Sequence, residues 1–252
     1  MRGRAGNWVP ALIVFFVGIA VWQLVLSPLA GKFLLPRPSA IAKAFWDNRH
    51  VLVNAGWFTF KEALGGFVIG SGAAILVALV FARFQRVGSA LMPYAIAASA
   101  VPIIAFAPIT NAWFGVLNPH SKWAIAGVLC FFPVLVNTLR GLRSVRPEAI
   151  ELMRSYAAGD VDIFRRVRIP AALPFIFAGL KVATVLAMIG AIVGDYFGGA
   201  INALGVQIEN SISLFDFALG WAAIVVASTF GIAFYAAVSV AERYCVRGMT
   251  ST

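Results

Sequence analysis

Six stretches of the chain are apolar for long enough to cross the ~30 Å of a bilayer's hydrocarbon as helices rising ~1.5 Å per residue. They run from Val9 to Leu29, Leu64 to Phe81, Ala90 to Ile109, Trp123 to Leu139, Leu173 to Val193 and Phe217 to Ala241. Polar residues collect between these runs, not at alternate positions within them. The pattern predicts an all-α, polytopic membrane protein with about six transmembrane helices, organised as a single domain over residues 1–252. The first run has a rival reading as a cleaved signal peptide, because Arg2 and Arg4 precede it. Pro28 in "LSPLAG", where a small residue is wanted, favours an uncleaved helix.

Two of the breaks between runs have a pattern of their own. "LPRPSAIAKAFWDNRHVLVNAGWF" alternates apolar and charged residues and predicts a short helix along the membrane interface. "GDYFGGAINALGVQIENS" carries acids and clustered glycines and predicts a re-entrant or surface turn. Pro93, Pro102 and Pro108 interrupt the third run and Pro133 the fourth, tolerable where neighbouring helices or a water-lined path satisfy the freed carbonyls. Gly66 with Gly70, and Gly190 with Gly194, have the spacing that lets helix backbones approach closely. Ordinary packing within the chain is the simpler use of both pairs.

Composition agrees with a lipid-facing surface: 61% of residues are hydrophobic and 12% charged, about half the charge of a soluble domain. The net charge of +10 is assigned to basic loops on one side of the membrane, with no nucleic-acid partner. With an N-terminus in the cytoplasm, Arg2, Arg4, Arg83, Arg86, Arg140, Arg143, Arg146, Arg154, Arg165, Arg166, Arg168, Arg243 and Arg247 lie inside. Lys32, Arg37, Lys43, Arg49, Lys61 and Lys122 lie outside. The bias places both termini in the cytoplasm. Cys130 and Cys245 are read as idle thiols, too few for a disulfide framework or a metal cluster.

Several chemistries have no motif here. No GxxxxGK[ST] loop is present to hold ATP phosphates, and no HExxH, CxxC or GxSxG motif points to an enzyme. No cofactor is expected. His50 and His120 are read as solvated. Lys181 is the ionisable residue well inside a run, and it either snorkels or faces a polar cavity. Glu62 and Asp195 fall near run ends.

The most patterned polar stretch runs from Arg140 to Arg168 and holds seven arginines and four acidic residues. Pro147 suits the first turn of a helix, and Glu148 and Glu151 suit its positive end. Ala149, Ile150, Leu152, Met153, Tyr156 and Ala157 share one face. Gly159 is placed to end that helix and Asp160 to cap a second, with Ile163, Phe164 and Val167 on its apolar face. Pro170 and Pro174 then break the chain. A solvated basic loop near anionic lipid accounts for the arginines. It does not account for the helix–Gly–helix–Pro order, which favours a partner surface.

At this stretch the sequence resembles the permease subunits of type I ABC importers, nitrate/sulfonate/taurine branch. Their signature loop has a Glu, a Gly six residues later and a Pro thirteen beyond that. "ELMRSYAAGDVDIFRRVRIP" supplies Glu151 and Pro170 at those positions, with Ala157 in place of the Gly and Gly159 two residues on. "FFPVLVNTLRGLRSV", "IPAALPFIFAGLKVA", "VPIIAFAPITNAWFG" and "GDYFGGAINALG" extend the likeness from about Leu34 to the C-terminus.

The resemblance implies a translocation path near the interface of two permease copies, here a homodimer. It also implies a separate cytoplasmic ATPase, an extracytoplasmic solute-binding protein and a lipid bilayer as partners. The segment 147–168 would couple to the ATPase, with Glu151, Ala157 and Gly159 in the coupling segment and Arg165 and Arg166 flanking it. Pro170 and Pro174 would set how the fifth span begins. Pro102, Phe106, Lys181 and Asp195 are candidates to line the path. The implied solute is a sulfonate, nitrate, or a heterocycle such as a thiamine-precursor pyrimidine or riboflavin. The alternative is a stand-alone secondary transporter or channel, which calls for ionisable pairs inside spans or an inverted repeat, and the sequence displays neither.

Overall fold

A computed structural model of the chain describes residues 8–30, 35–99 and 102–247. Arg2, Arg4, Gly31 and Lys32, used in the readings above, lie outside the described residues, as do Ala100 and Val101 of the third apolar run.

The elements are helices throughout the described residues. In chain order they are α1 (Trp8–Val21), a π-helical turn Trp22–Leu26, α2 (Ser27–Ala30), α3 (Pro38–Arg83), α4 (Gln85–Ser99), a 3-10 turn Ile103–Ala105 and α5 (Phe106–Phe114). Then come α6 (Pro119–Arg143), α7 (Pro147–Ser155), α8 (Asp160–Ile163), a π-helical turn Phe164–Arg168, α9 (Ile169–Tyr196), α10 (Leu204–Ser213) and α11 (Phe217–Arg247). Four helices are long and apolar enough to cross a membrane: Pro38–Arg83, Pro119–Arg143, Asp160–Tyr196 and Phe217–Val246. Leu12–Leu26 and Ile103–Phe114 are shorter apolar helices. They fall on the first and third apolar runs.

The structure changes two readings of the helix pattern. The interfacial helix expected before the second span is not separate: α3 is one helix of 46 residues, about 70 Å long. Its first half buries Ile41, Leu52 and Ala55 against Leu204, Ala222 and Val226, so the polar residues between these are simply its other face. The third run is broken. α4 is described as far as Ser99, Pro102 is extended with ψ 97°, and the 3-10 turn follows it. Proline has no N–H to continue a helix and pushes its predecessor out of the helical region.

α6 and α9 form the tightest seam, antiparallel along their length. A Cβ at Gly141 would meet Ala172 and Phe175, one at Gly179 would meet Val134, and one at Gly190 would meet the backbone of Ala126. α3 lies against the same part of α6, where Gly66 sits on Ala126 and Gly70 on the backbone of Gly127. Both glycine pairs noted in the sequence therefore serve packing within the chain. The core between these helices is made of small residues, with Ala63, Ala74, Ala126, Ala183, Ala187 and Ala191 sealed from solvent. In lipid, where tails are as apolar as leucine, such close backbone contact holds helices together.

α11 runs beside α3 in the same direction, joined by the rings Phe60, Phe67, Phe230 and Phe234. α1 is peripheral. Val14, Phe15 and Phe16 are exposed, and it meets the bundle through Trp22 on Trp221, with ring centroids 5.3 Å apart.

Candidate functional site

The bundle presents two chemically different ends. At one end, α6 finishes and the arginine-rich segment begins. Pro147 is at the start of α7, and Glu148 stands in its first turn and Arg154 in its last, matching the helix dipole. α7 then ends in a Schellman motif. Ala158 N–H donates to the Met153 carbonyl (3.1 Å) and Ala157 N–H to the Arg154 carbonyl (2.9 Å). This geometry requires a left-handed residue, and Ala157 supplies it with φ +56°. The position that holds Gly in the resembled signature thus has the glycine-like backbone, occupied by alanine.

Gly159 does not end α7, as the sequence suggested. It occupies the N-cap position of α8 with φ −72° and ψ 166°, ordinary extended backbone. Asp160 is the first residue of α8 and does not cap it. Its carboxylate lies between Arg83 (3.8 Å) and Arg154 (3.9 Å) instead, tying the segment to the end of α3. Ile163 is buried and Phe164 and Val167 half-buried, as their spacing required. The buried face of α7 is narrower than expected. Ala149, Ile150 and Met153 are half-buried, whereas Leu152 (58%) and Tyr156 (78%) stand exposed, together with Val161 (79%) of α8. Glu151, Gly159, Arg165 and Arg166 are exposed too. Pro170 is half-buried and Pro174 exposed, and neither breaks the helix: the chain is helical from Asp160 to Tyr196.

At the other end, charges are sealed inside. Lys122, read from sequence as an outer-loop cation, is 1% exposed and donates to the Val116 carbonyl. It interacts electrostatically with the carboxyls of Asp195 and Glu62, which also interact with each other. Asp195 is fully buried, and its Oδ2 accepts a hydrogen bond from Thr59 Oγ1 (2.8 Å). The same Thr59 oxygen accepts the N–H of Leu204 (2.9 Å), the first residue of α10. Thr59 therefore does from α3 what an N-cap side chain would do. Asn111 of α5 adds hydrogen bonds to the Phe197 and Gly198 carbonyls (3.3 and 3.5 Å). This joint ties α3, α5, α6, α9 and α10 together, and it makes the stretch after α9 a short packed helix. Among the described residues no group of three or more His, Cys, Asp or Glu is placed to hold a metal ion.

Between the two ends lies one more charged pair. Lys181 Nζ of α9 donates to Glu242 Oε2 of α11 at 2.8 Å, with each side chain about one-fifth to one-quarter exposed. The sixth apolar run was drawn to stop at Ala241, one residue short of this partner, which is why the sequence displayed no ionisable pair inside spans. Of the four path candidates, Lys181 is thus paired and Asp195 belongs to the buried joint. Pro102 is exposed and Phe106 half-buried on either side of the break in the third run.

The comparisons with known proteins fit this architecture. Residues 66–251 match the family described as the binding-protein-dependent transport system inner membrane component. The chain belongs to this family. It is an inner-membrane transport component of the ABC importer type, in a family of permeases and not of enzymes. It is 31% identical over 245 residues to the riboflavin transport system permease protein of Chloroflexus aurantiacus, covering 94% of this chain and 90% of that one. It is 32% identical over 236 residues to the formylaminopyrimidine transport permease protein of Halalkalibacterium halodurans, covering 92% of each. A nitrate import permease protein of Leptolyngbya laminosa is 25% identical over 205 residues, covering 77% of this chain and 72% of that one.

Proposed function

We propose that the chain carries a small heterocyclic solute inward across the plasma membrane, driven by a separate cytoplasmic ATPase that docks on α7 and α8. The arginine-bearing end is then cytoplasmic, as are both termini, and the buried joint lies at the outer face. The observation that carries this reading is the exposure of Leu152, Tyr156 and Val161 among the arginines of a segment whose α7 ends in a Schellman turn and whose α8 is continuous with α9. Apolar side chains left in water on an ordered, charged segment mark a contact surface. A displacement there would pass directly into the span Asp160–Tyr196 as one rod. Glu151, Arg165 and Arg166 border this surface and would orient the partner. A second copy of the chain completes the path in this reading, and an extracytoplasmic binding protein delivers the solute.

The relatives named for riboflavin and formylaminopyrimidine share more identity with the chain, over more of its length, than the nitrate relative does. That supports a heterocycle over an inorganic anion. The test is reconstitution with the cognate ATPase and binding protein in vesicles. ATP-dependent uptake of riboflavin or a formylaminopyrimidine that exceeds nitrate uptake supports the assignment. Uptake that proceeds without any ATPase supports the stand-alone transporter instead.

A further inference from the structure

The pair Lys181–Glu242 has no role in the docking surface or in the outer joint, and its location is unusual. Lys181 lies 14 residues before Asp195 and 13 after Arg168, about 20 Å of helix from each. Lys181 is thus near the middle of the span Asp160–Tyr196, where ionisable residues are rare and tend to be functional, while its partner Glu242 stands beside Arg243 towards the end of α11. The other ion pairs among the described residues, Arg83–Asp160, Arg154–Asp160 and Arg166–Asp162, all lie at the arginine-bearing end with both side chains more than half exposed.

The surroundings of the pair indicate its use. α9 is seated on α6 by backbone-to-backbone contact, whereas it meets α11 through side chains, Ala183, Ala187 and Met188 packing with Phe230, Phe234 and Val238. On one side of that contact an open groove of about 440 Å³ runs between them, lined by Val185, Met188, Ile192, Ile224, Gly231 and Tyr235. A Cβ added at Gly231 would reach only ordinary contact with Met188, at 3.9 Å. Beyond the core contacts of Phe230, Phe234 and Val238 with α9, no other side-chain hydrogen bond or ion pair joins these two helices among the described residues, and the charged pair is the short, directional bond between them.

We propose that the Lys181–Glu242 ion pair pins α11 to the α8–α9 rod, so that both helices follow a displacement of the coupling segment as one body. The inference rests on the ATP-driven reading for its purpose but not for its test. A polar bond is suited to this task in lipid, because neither water nor a neighbouring apolar side chain can replace it. Removing both charges would leave the helices inserted but unlinked.

The experiment is a distance measurement between spin labels at Ala171→Cys and Tyr244→Cys, both exposed positions near the arginine-bearing ends of α9 and α11. The background carries Cys245→Ser, Cys130 being buried. In nanodiscs, the chain alone should give one narrow distance. The neutral double variant Lys181→Met/Glu242→Gln should broaden or shift it by several ångström, up to the ~5 Å of one helical turn. The swapped variant Lys181→Glu/Glu242→Lys should restore the narrow distance. With the ATPase bound, vanadate trapping should leave the distance unchanged in the parent and the swapped variant, and change it in the neutral one. An unchanged narrow distance in the neutral variant, or a swapped variant no better than it, overturns the pin. An ATPase that fails to bind the parent overturns the ATP-driven reading instead, and the measurement on the chain alone still decides the pin.

Discussion

At one end of the bundle the charged side chains of Glu62, Lys122 and Asp195 are withdrawn from solvent. At the other, those of Arg83, Arg154, Asp160, Asp162 and Arg166 stand more than half exposed. The two ends hold similar residue types and do opposite work. Burying ionisable groups is costly unless they satisfy one another, so removing one member of the sealed group strains the others. Exposed ion pairs contribute little to stability, so the arginine-bearing end is free to exchange its partners for those of another protein. A permease driven from one side needs this asymmetry: a joint that keeps its helices in register, and a surface that yields to a partner.

The largest expected effect comes from breaking the sealed group. Lys122→Ala leaves two buried carboxyls facing each other and should cost about 3–5 kcal/mol, read as loss of the folded monomer in thermal melting in detergent. If Lys122→Ala melts like the parent, the joint is not what holds that end together. Glu151→Lys at the other end should leave melting unchanged, because Glu151 is exposed. It should weaken ATP-driven uptake about tenfold or more, equivalent to ~1.4 kcal/mol of coupling, while ATP hydrolysis continues. Normal uptake by that variant would remove Glu151 from the contact.

Smaller effects separate the two ends further. Thr59→Val keeps the shape of the side chain but removes the bond to Asp195 and the acceptor for Leu204 N–H. It should cost about 1–2 kcal/mol, with faster amide exchange in the first turn of α10. Ala157→Gly relieves a left-handed alanine and should stabilise the end of α7 by about 1 kcal/mol, visible as slower exchange at Ala158, whose N–H donates to the Met153 carbonyl. Gly159→Ala should be nearly neutral in the same assay, since an added Cβ meets nothing nearer than Asp162 Oδ2 at 3.9 Å. A loss on Gly159→Ala with no gain on Ala157→Gly would reverse the assignment of the turn.

The arginine-bearing end was readable because its features are local. Pro147 opens a helix and Glu148 follows it in the first turn. Ile163, Phe164 and Val167 fall on one face by spacing alone. The turn itself was misassigned because glycine is the usual left-handed residue and Gly159 was at hand, whereas the Schellman bonds fix Ala157 there. The buried joint could not be read, because Thr59, Lys122 and Asp195 are far apart in sequence and meet only where α3, α6 and α9 pack together. Lys122 in particular sits next to loop residues, and it is enclosed by tertiary contacts that include the close approach of Gly194 to its stem and its bond to the Val116 carbonyl. Glu242 was missed for a simpler reason: a hydropathy boundary ends a span at its first charge, even where the helix continues.

The most direct test is amide exchange of the intact chain in nanodiscs, with and without its cognate ATPase. The account predicts that ATPase binding slows exchange across Pro147–Arg168 and leaves Leu204–Ser213 at the opposite end unaffected. Protection confined to Leu204–Ser213, or no protection anywhere, would contradict it.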